Sequence, residues 1–435
     1  MKPLFIVSCP IDTYSGYGAR SRDFVKALIE TDKYDVKILP QRWGETPWGF
    51  IRDHKKWQFL TPHLLPMGNK LPRQPELWCQ ITIPNEFQNV GKFNIGLTAG
   101  IETTGVHHTW IQGCNKMDLV LTSSTHSANV LKAIEFQQVD KATNAPTGTL
   151  KIKKPVEVLI EGADTSLYQP KVSNFNLDLV KEDFAYLFMG HWMQGNIGHD
   201  RKNVGYMIQI FLETFKNKKQ TPALILKTSG GGASAIDRQT ILEKIDIIRN
   251  SIPNAKTLPN IYLIHGDYTD EEISHLYTHK KVKALISLTK GEGFGRPMLE
   301  FSLTKKPVIT TNWSGHTDFL SSEYSVLLPG ELHKVDKSAM STNIIMEEFQ
   351  WFGVDAEAAS VAMKDVYVNY KNYKEKAVKQ ANKSKTEFSY AKMVEQLNSY
   401  LSKYVPNFPK QVELDLSKVK KIDTPKLPKL KKVTQ

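Results

Sequence analysis

Three cysteines in 435 residues, Cys9, Cys79 and Cys114, are too few and too scattered for a disulfide framework, and no Cys-x-x-Cys pair points to zinc. They read as reduced core thiols. No apolar run approaches the roughly 18 to 20 residues of a bilayer span, and the six-residue apolar stretch in the opening MKPLFIVSCP is too short for a secretory signal core. The expectation is a soluble, cytoplasmic protein with no membrane span. Repeats of solenoid length are absent, and so is any Asp-x-Asp pair. Acidic residues are the minority: 57 Lys and Arg stand against 45 Asp and Glu, for a formal charge of +12. With 40% hydrophobic residues, 26 Gly and 22 Pro, a disordered, collagenous or coiled-coil chain is excluded and two ordinary cores can be filled.

The positive charge is uneven. The tail from Lys410 to Gln435 holds eight lysines against Glu413, Asp415 and Asp423 and so contributes +5. The rest is mildly basic, which nucleic acid, an anionic membrane surface or plain solubility would each explain.

Along the chain, strands and helices alternate. Leu4 to Ser8 reads as a buried strand, Gly16-Tyr17-Gly18 as a turn, and Ala19 to Glu30 as a helix with Phe24, Ala27 and Leu28 on one face. Further short strands are expected at 34–40, 77–83, 94–99 and 119–122, with a helix over 124–136. VEVLIEGADTSLYQP, 156–170, supplies one last strand and then turn residues, and a domain boundary is placed at about residue 170. A second series follows: strands at 184–189, 223–227, 261–265 and 282–288, and helices at 203–216, 236–250 and 270–278. The pattern predicts two doubly wound α/β domains, 1–170 and 171–387, followed by a helix over 388–404 and a basic tail.

The most informative segment is KGEGFGRPMLE, 290–300, between the apolar VKALISL and the helix-like MLEFSL. Gly291, Gly293 and Gly295 let the backbone approach a ligand closely, and Pro297 suits a first helical turn. Amides at that helix start favour an anion. Glu292 and Glu300, eight apart, add carboxylates that accept hydrogen bonds from paired hydroxyls. Arg201 and Lys202 stand just before a helix start, where the dipole disfavours cations unless an anion is present.

GEGFGRPMLE resembles the E-x7-E signature of retaining nucleotide-sugar glycosyltransferases of the GT-B fold, of the large family 4 type. EGADTSLYQP resembles their inter-domain segment, FMGHWMQGNIGHDRKN their donor-domain phosphate loop, and IHGDYTDEEISHLY the strand and helix near the nucleotide base. The resemblance implies two Rossmann-like domains facing across a cleft, with the last helix returning to the first domain. It implies a nucleoside-diphosphate sugar as donor, of UDP or GDP type, and no separate cofactor. Glu292 would approach the donor sugar, Glu300 the ribose, and Arg201 and Lys202 the diphosphate, where two fixed cations stabilise a departing nucleoside diphosphate without a metal. The backbone of Gly293, Phe294 and Gly295, and the amino-terminal loop with Gly16 and Gly18, would line the donor site. Glu102 stands where many relatives carry a functional histidine. It would orient the acceptor hydroxyl or approach the anomeric centre, while His107 and His108 either take part or merely face solvent or core. Ser314 and Gly315 in TNWSGHTDF, and the loop 228–234 with Lys227 before it, are further candidates for the cleft wall.

The acceptor is left open. QRWGETPWGFIRDHKKWQF, 41–59, interleaves Trp43, Trp48, Phe50, Trp57 and Phe59 with Arg42, Arg52, Lys55 and Lys56. That pattern fits either stacking on sugars or bases, or aromatics buried in an excursion over the core. A glycan or small hydroxyl compound is the family's usual acceptor. Hydroxymethylated DNA, as modified by some phage-encoded glycosyltransferases, is the alternative that the basic charge, the aromatic segment and the phage-like sequence favour. A catalytically inactive GT-B binding protein is the third.

Overall fold

The computed structural model describes residues 2–66, 68, 71, 73–140 and 142–409. The lysine-rich tail 410–435 lies outside the described residues.

Two six-stranded sheets carry the fold. In the first, the strands run Asp35–Pro40, Leu4–Cys9, Leu77–Ile81, Phe93–Thr98, Leu119–Thr122 and Val156–Val158, every neighbour parallel. In the second the order is Ile261–Ile264, Ala223–Lys227, Ala185–Met189, Val282–Ser287, Val308–Thr311 and Val326–Leu328, again all parallel. Parallel sheets need helices on both faces, so their central strands read as unbroken apolar runs. Leu4–Cys9, Leu77–Ile81 and Phe93–Thr98 are buried at every residue. In each sheet the order reverses beside the first strand, which opens a crevice at the carboxyl ends: between Leu4–Cys9 and Leu77–Ile81, and between Ala185–Met189 and Val282–Ser287.

One apolar core is continuous across the molecule. It runs from Phe5, Val7 and Leu97 through Leu159 and Tyr168 to Leu187, Leu285 and Leu299, and takes in Met393, Leu397 and Leu401 of the helix Tyr390–Tyr404. Separate clusters fill the outer face of each sheet, around Trp110 and Leu131 in the first and around Phe211 and Ile245 in the second.

The chain passes between the sheets twice, and the two passages lie side by side. Ala163 N donates to Phe388 O at 3.0 Å and Tyr390 N to Ala163 O at 2.9 Å. Gly162 has no room for a side chain there, since a Cβ would stand 2.5 Å from Tyr390 Cα. The expected helix over 388–404 therefore starts two residues late, after this crossing and a separate helix Tyr370–Glu387. Tyr390–Tyr404 packs on the first domain. Tyr400 Oη donates to Val158 O at 2.9 Å, and the buried Arg20 guanidinium bonds Ile160 O at 2.7 Å beside Met393.

A strap that the sequence did not signal joins the domains on the other side. Gly330–Lys334 and Gln350–Val354 form an antiparallel pair, and the excursion between them reaches the first domain. Thr104 N donates to Gln350 O at 2.8 Å, Gln350 N to Thr104 Oγ1 at 3.0 Å, and Trp110 Nε1 to Asn343 O at 2.8 Å.

Candidate active site

The carboxyl end of Val282–Ser287 leads through the Gly-rich turn into the helix Arg296–Ser302. Two of the turn's glycines are required by what approaches them. A Cβ on Gly293 would lie 1.5 Å from Ala99 O, across the cleft in the first domain, while Gly295 sits at φ +94° as the residue before the helix. Phe294 turns its side chain into the core against Phe319, ring centroids 5.1 Å apart, and leaves only its backbone at the turn. Ser314 and Gly315 close the turn from the next strand's end: Ser314 Oγ accepts from Glu292 N at 2.9 Å, and Gly315 N donates to Glu292 O at 2.9 Å.

Four charged side chains converge on this turn from three places in the chain. Arg201 and Lys202 end the loop before the helix Val204–Phe215, whose first amide is held by Asp200 Oδ2 at 3.1 Å. Lys290 N donates to Arg201 O at 2.8 Å, which brings residues some ninety apart in sequence together. Lys202 Nζ hydrogen-bonds Glu292 Oε1. Arg201 Nη1 donates to Gly291 O at 3.3 Å and lies 3.7 Å from Glu292 Oε2 and 3.5 Å from Glu102 Oε1. Burial disfavours ionised Glu292, but the Lys202 and Arg201 charges outweigh it and hold the carboxyl below its ordinary value. Burial pulls the Lys202 ammonium below its ordinary value against the opposing pull of Glu292.

Glu102 comes from the loop after Phe93–Thr98, and Tyr17 fixes that loop. The Tyr17 hydroxyl accepts from Ala99 N at 3.0 Å and Gly100 N at 3.2 Å and contacts Thr98 Oγ1 at 3.0 Å. The two amino-terminal glycines differ. Gly18 is packed, since a Cβ would meet Thr13 O at 2.4 Å, whereas Gly16 opens the helix Gly16–Glu30 with nothing within 4 Å of its missing side chain. His107 and His108 stand apart from this cluster. His107 Nδ1 caps the helix His108–Cys114, and the two rings lie 4.0 Å apart.

Glu300 is buried one turn into its helix and accepts from Arg296 Nε at 2.8 Å. Arg296 Nη1 in turn donates to Asp23 Oδ2 at 2.6 Å in the first domain and lies 3.9 Å from Glu161. Burial pushes the Glu300 carboxyl up to about 7, with Asp270 adding to the shift and Arg296 opposing it. This arginine was not singled out from the sequence, although it stands at i, i+4 spacing from Glu300. Its two carboxylates across the cleft were not legible.

The loop 228–234 is tethered at one end, where Gly230 N donates to Asp237 Oδ1 at 2.9 Å and Asp237 holds His265 Nε2 at 2.7 Å. Lys227 Nζ donates to Gly266 O at 2.8 Å. In the segment 41–59, Phe50 and Trp57 are buried, with the Arg22 guanidinium 3.4 Å from the Phe50 ring centre. Phe59 is exposed, and Trp43 and Trp48 are half-buried. Among the described residues, no group of three or more His, Cys, Asp or Glu is placed to hold a metal.

No family model matches the chain, and no curated protein matches its sequence. Solved structures do. Anabaena Alr3699/HepE in complex with UDP and glucose superposes with a TM-score of 0.60 at 13% identity, over 92% of this chain and 100% of that one. The fold is GT-B. The same GT-B arrangement relates the chain to a glycosyltransferase from Rickettsia africae, with a TM-score of 0.61 at 13% identity over 94% and 100% of the two chains. The sucrose-phosphate synthase of Thermosynechococcus elongatus follows at 0.59 and 12% identity, over 93% and 99%.

Proposed function

We propose that this chain is a glycosyltransferase that moves a sugar from a nucleoside-diphosphate donor to an acceptor hydroxyl, with retention of configuration and without a metal. The observation that carries the reading is the quartet of Lys202, Arg201, Glu292 and Glu102 at the carboxyl-end crevice of the second sheet. Two cations fixed beside a Gly-rich turn are matched to a diphosphate, and preorganised positive charge stabilises the negative charge that builds on it as the glycosidic bond breaks. In that assignment the diphosphate takes Lys202 and Arg201 from Glu292, whose freed carboxylate then accepts hydrogen bonds from the donor sugar. Glu300 reads the ribose, and the backbone of Gly293 to Gly295, with Gly16 across the cleft, lines the donor. The C1–O bond to the diphosphate breaks, the acceptor oxygen bonds C1 on the same face, and the acceptor proton leaves to the departing phosphate oxygen. Glu102 orients the acceptor hydroxyl. Retention follows from the resemblance of GEGFGRPMLE to the E-x7-E signature. Because HepE was solved with UDP and with UDP-glucose, UDP-sugars are the first donors to try.

The test is nucleotide release from UDP-, GDP- and ADP-sugars, with the Lys202→Ala variant beside the parent. We expect release by the parent in the presence of EDTA, and a loss of about 100- to 1000-fold in kcat for Lys202→Ala. A variant within twofold of the parent would remove Lys202 from the leaving-group site, and activity abolished by EDTA and restored by Mg²⁺ would remove the metal-free mechanism.

A further inference from the structure

The second sheet's crevice is occupied by the charged quartet, whereas the first sheet's crevice, which faces it, carries stacked aromatics. Tyr17 reaches over the switch point from the start of its helix to the end of Phe93–Thr98, where its hydroxyl is fully engaged by Thr98, Ala99 and Gly100. On its ring lies Trp43, from the loop after Asp35–Pro40, with centroids 4.0 Å apart and planes 23° from parallel. Trp43 is only half-buried, and its indole N–H has no hydrogen-bond partner among the described residues and is not itself buried. A ring stacked on a fixed partner, partly exposed and with a spare donor, is equipped to stack on a flat ligand and to hydrogen-bond its edge. Ligands of open α/β sheets settle in this crevice.

We propose that Trp43 is the stacking platform of an acceptor subsite, and that the acceptor presents a neutral saccharide ring. This inference rests on the glycosyltransferase reading above. The C–H face of a pyranose lies on the indole while the free N–H meets a ring hydroxyl. Tyr17 is a positioning residue, since it ties the platform to the same loop that carries Glu102. The charges around the platform favour a sugar over a DNA strand. Across 41–59, Arg52 lies 2.8 Å from Asp53 and Lys56 lies 3.7 Å from Asp164, while Arg42 is matched in number by Glu45 and Lys55 remains, so the local positive charge is small and few cations are present to release counterions from a run of phosphates.

The experiment measures transfer from the donor identified by nucleotide release to methyl glucosides, galactosides and mannosides, and to duplex DNA with and without 5-hydroxymethyl groups, for the parent, Trp43→Ala and Trp43→Phe. Loss of one stacked ring contact should raise KM for the saccharide about ten- to a hundredfold in Trp43→Ala, with Trp43→Phe recovering most of the loss. The donor KM should move less than twofold, which a general loss of structure would not allow. Equal saccharide KM in parent and alanine variant would overturn the platform. Transfer to hydroxymethylated duplex but to no saccharide would overturn the acceptor class. Failure of the parent to bind or cleave any nucleotide sugar is a separate result, since it would overturn the glycosyltransferase reading and this inference with it.

Discussion

Glu300 is a buried carboxylate whose proton leaves only near neutrality, and this has a consequence for stability. Its carboxyl is pushed from 4.5 up to about 7 by burial, so the folded chain holds a proton between those values that the unfolded chain has lost. Stability contributed by this group is therefore present below pH 4.5, falls as pH rises to about 7, and is gone above it. The shift corresponds to at most about 3 kcal/mol. Glu300→Gln should flatten the dependence of Tm on pH between 5 and 8 and leave the variant more stable than the parent at pH 8. Parallel curves for the two proteins would show that Glu300 does not titrate there. Glu292, eight residues earlier, behaves in the opposite sense because the Lys202 and Arg201 charges outweigh its burial, whereas at Glu300 burial wins over the one guanidinium of Arg296, which is shared with Asp23 and Glu161. The sequence showed both glutamates and both cations, because each sits in a short motif with its own spacing. It did not show that Arg296 holds Glu300 or that Tyr17 fixes the Glu102 loop, since those partners are far apart in the chain and carry no local pattern.

The elements themselves were largely legible. Strands buried on both faces write themselves as runs such as LFIVSC and ALILK, and most expected strands lie within two residues of the observed bounds. The strap was not legible, because a short exposed strand such as Gly330–Lys334 has no apolar alternation. The Gly-rich turn was recognised as a close-approach site, but what approaches it is the other domain. This leads to a prediction about the element. Gly293→Ala places a methyl group against the Ala99 carbonyl, where neither side can give without moving a backbone. We expect kcat to fall at least tenfold, with a stability cost of about 1–3 kcal/mol typical of overpacking, and nucleotide affinity to weaken as well, because the backbone of Gly293 lines the donor in the reading above. Turnover and nucleotide Kd measured on the same preparation check this, and unchanged turnover would mean that the two loops need not touch during catalysis.

At the scale of the molecule, two chain crossings at Gly162–Ala163 and Phe388–Tyr390 join the domains on one side and the strap joins them on the other, with the charged quartet between. In this arrangement Glu102, from the first domain, is engaged by Arg201, from the second. The carboxylate keeps lone pairs for other donors, but the guanidinium sets its orientation, and a diphosphate that draws Arg201 away leaves Glu102 free to turn toward an acceptor hydroxyl. We therefore expect the nucleotide sugar to enter first, the acceptor second, and the nucleotide to leave last. Initial-rate measurements should then give intersecting lines, with the nucleoside diphosphate competing against the donor but acting as a mixed inhibitor against the acceptor. A nucleotide that competed equally with both substrates would mean random entry.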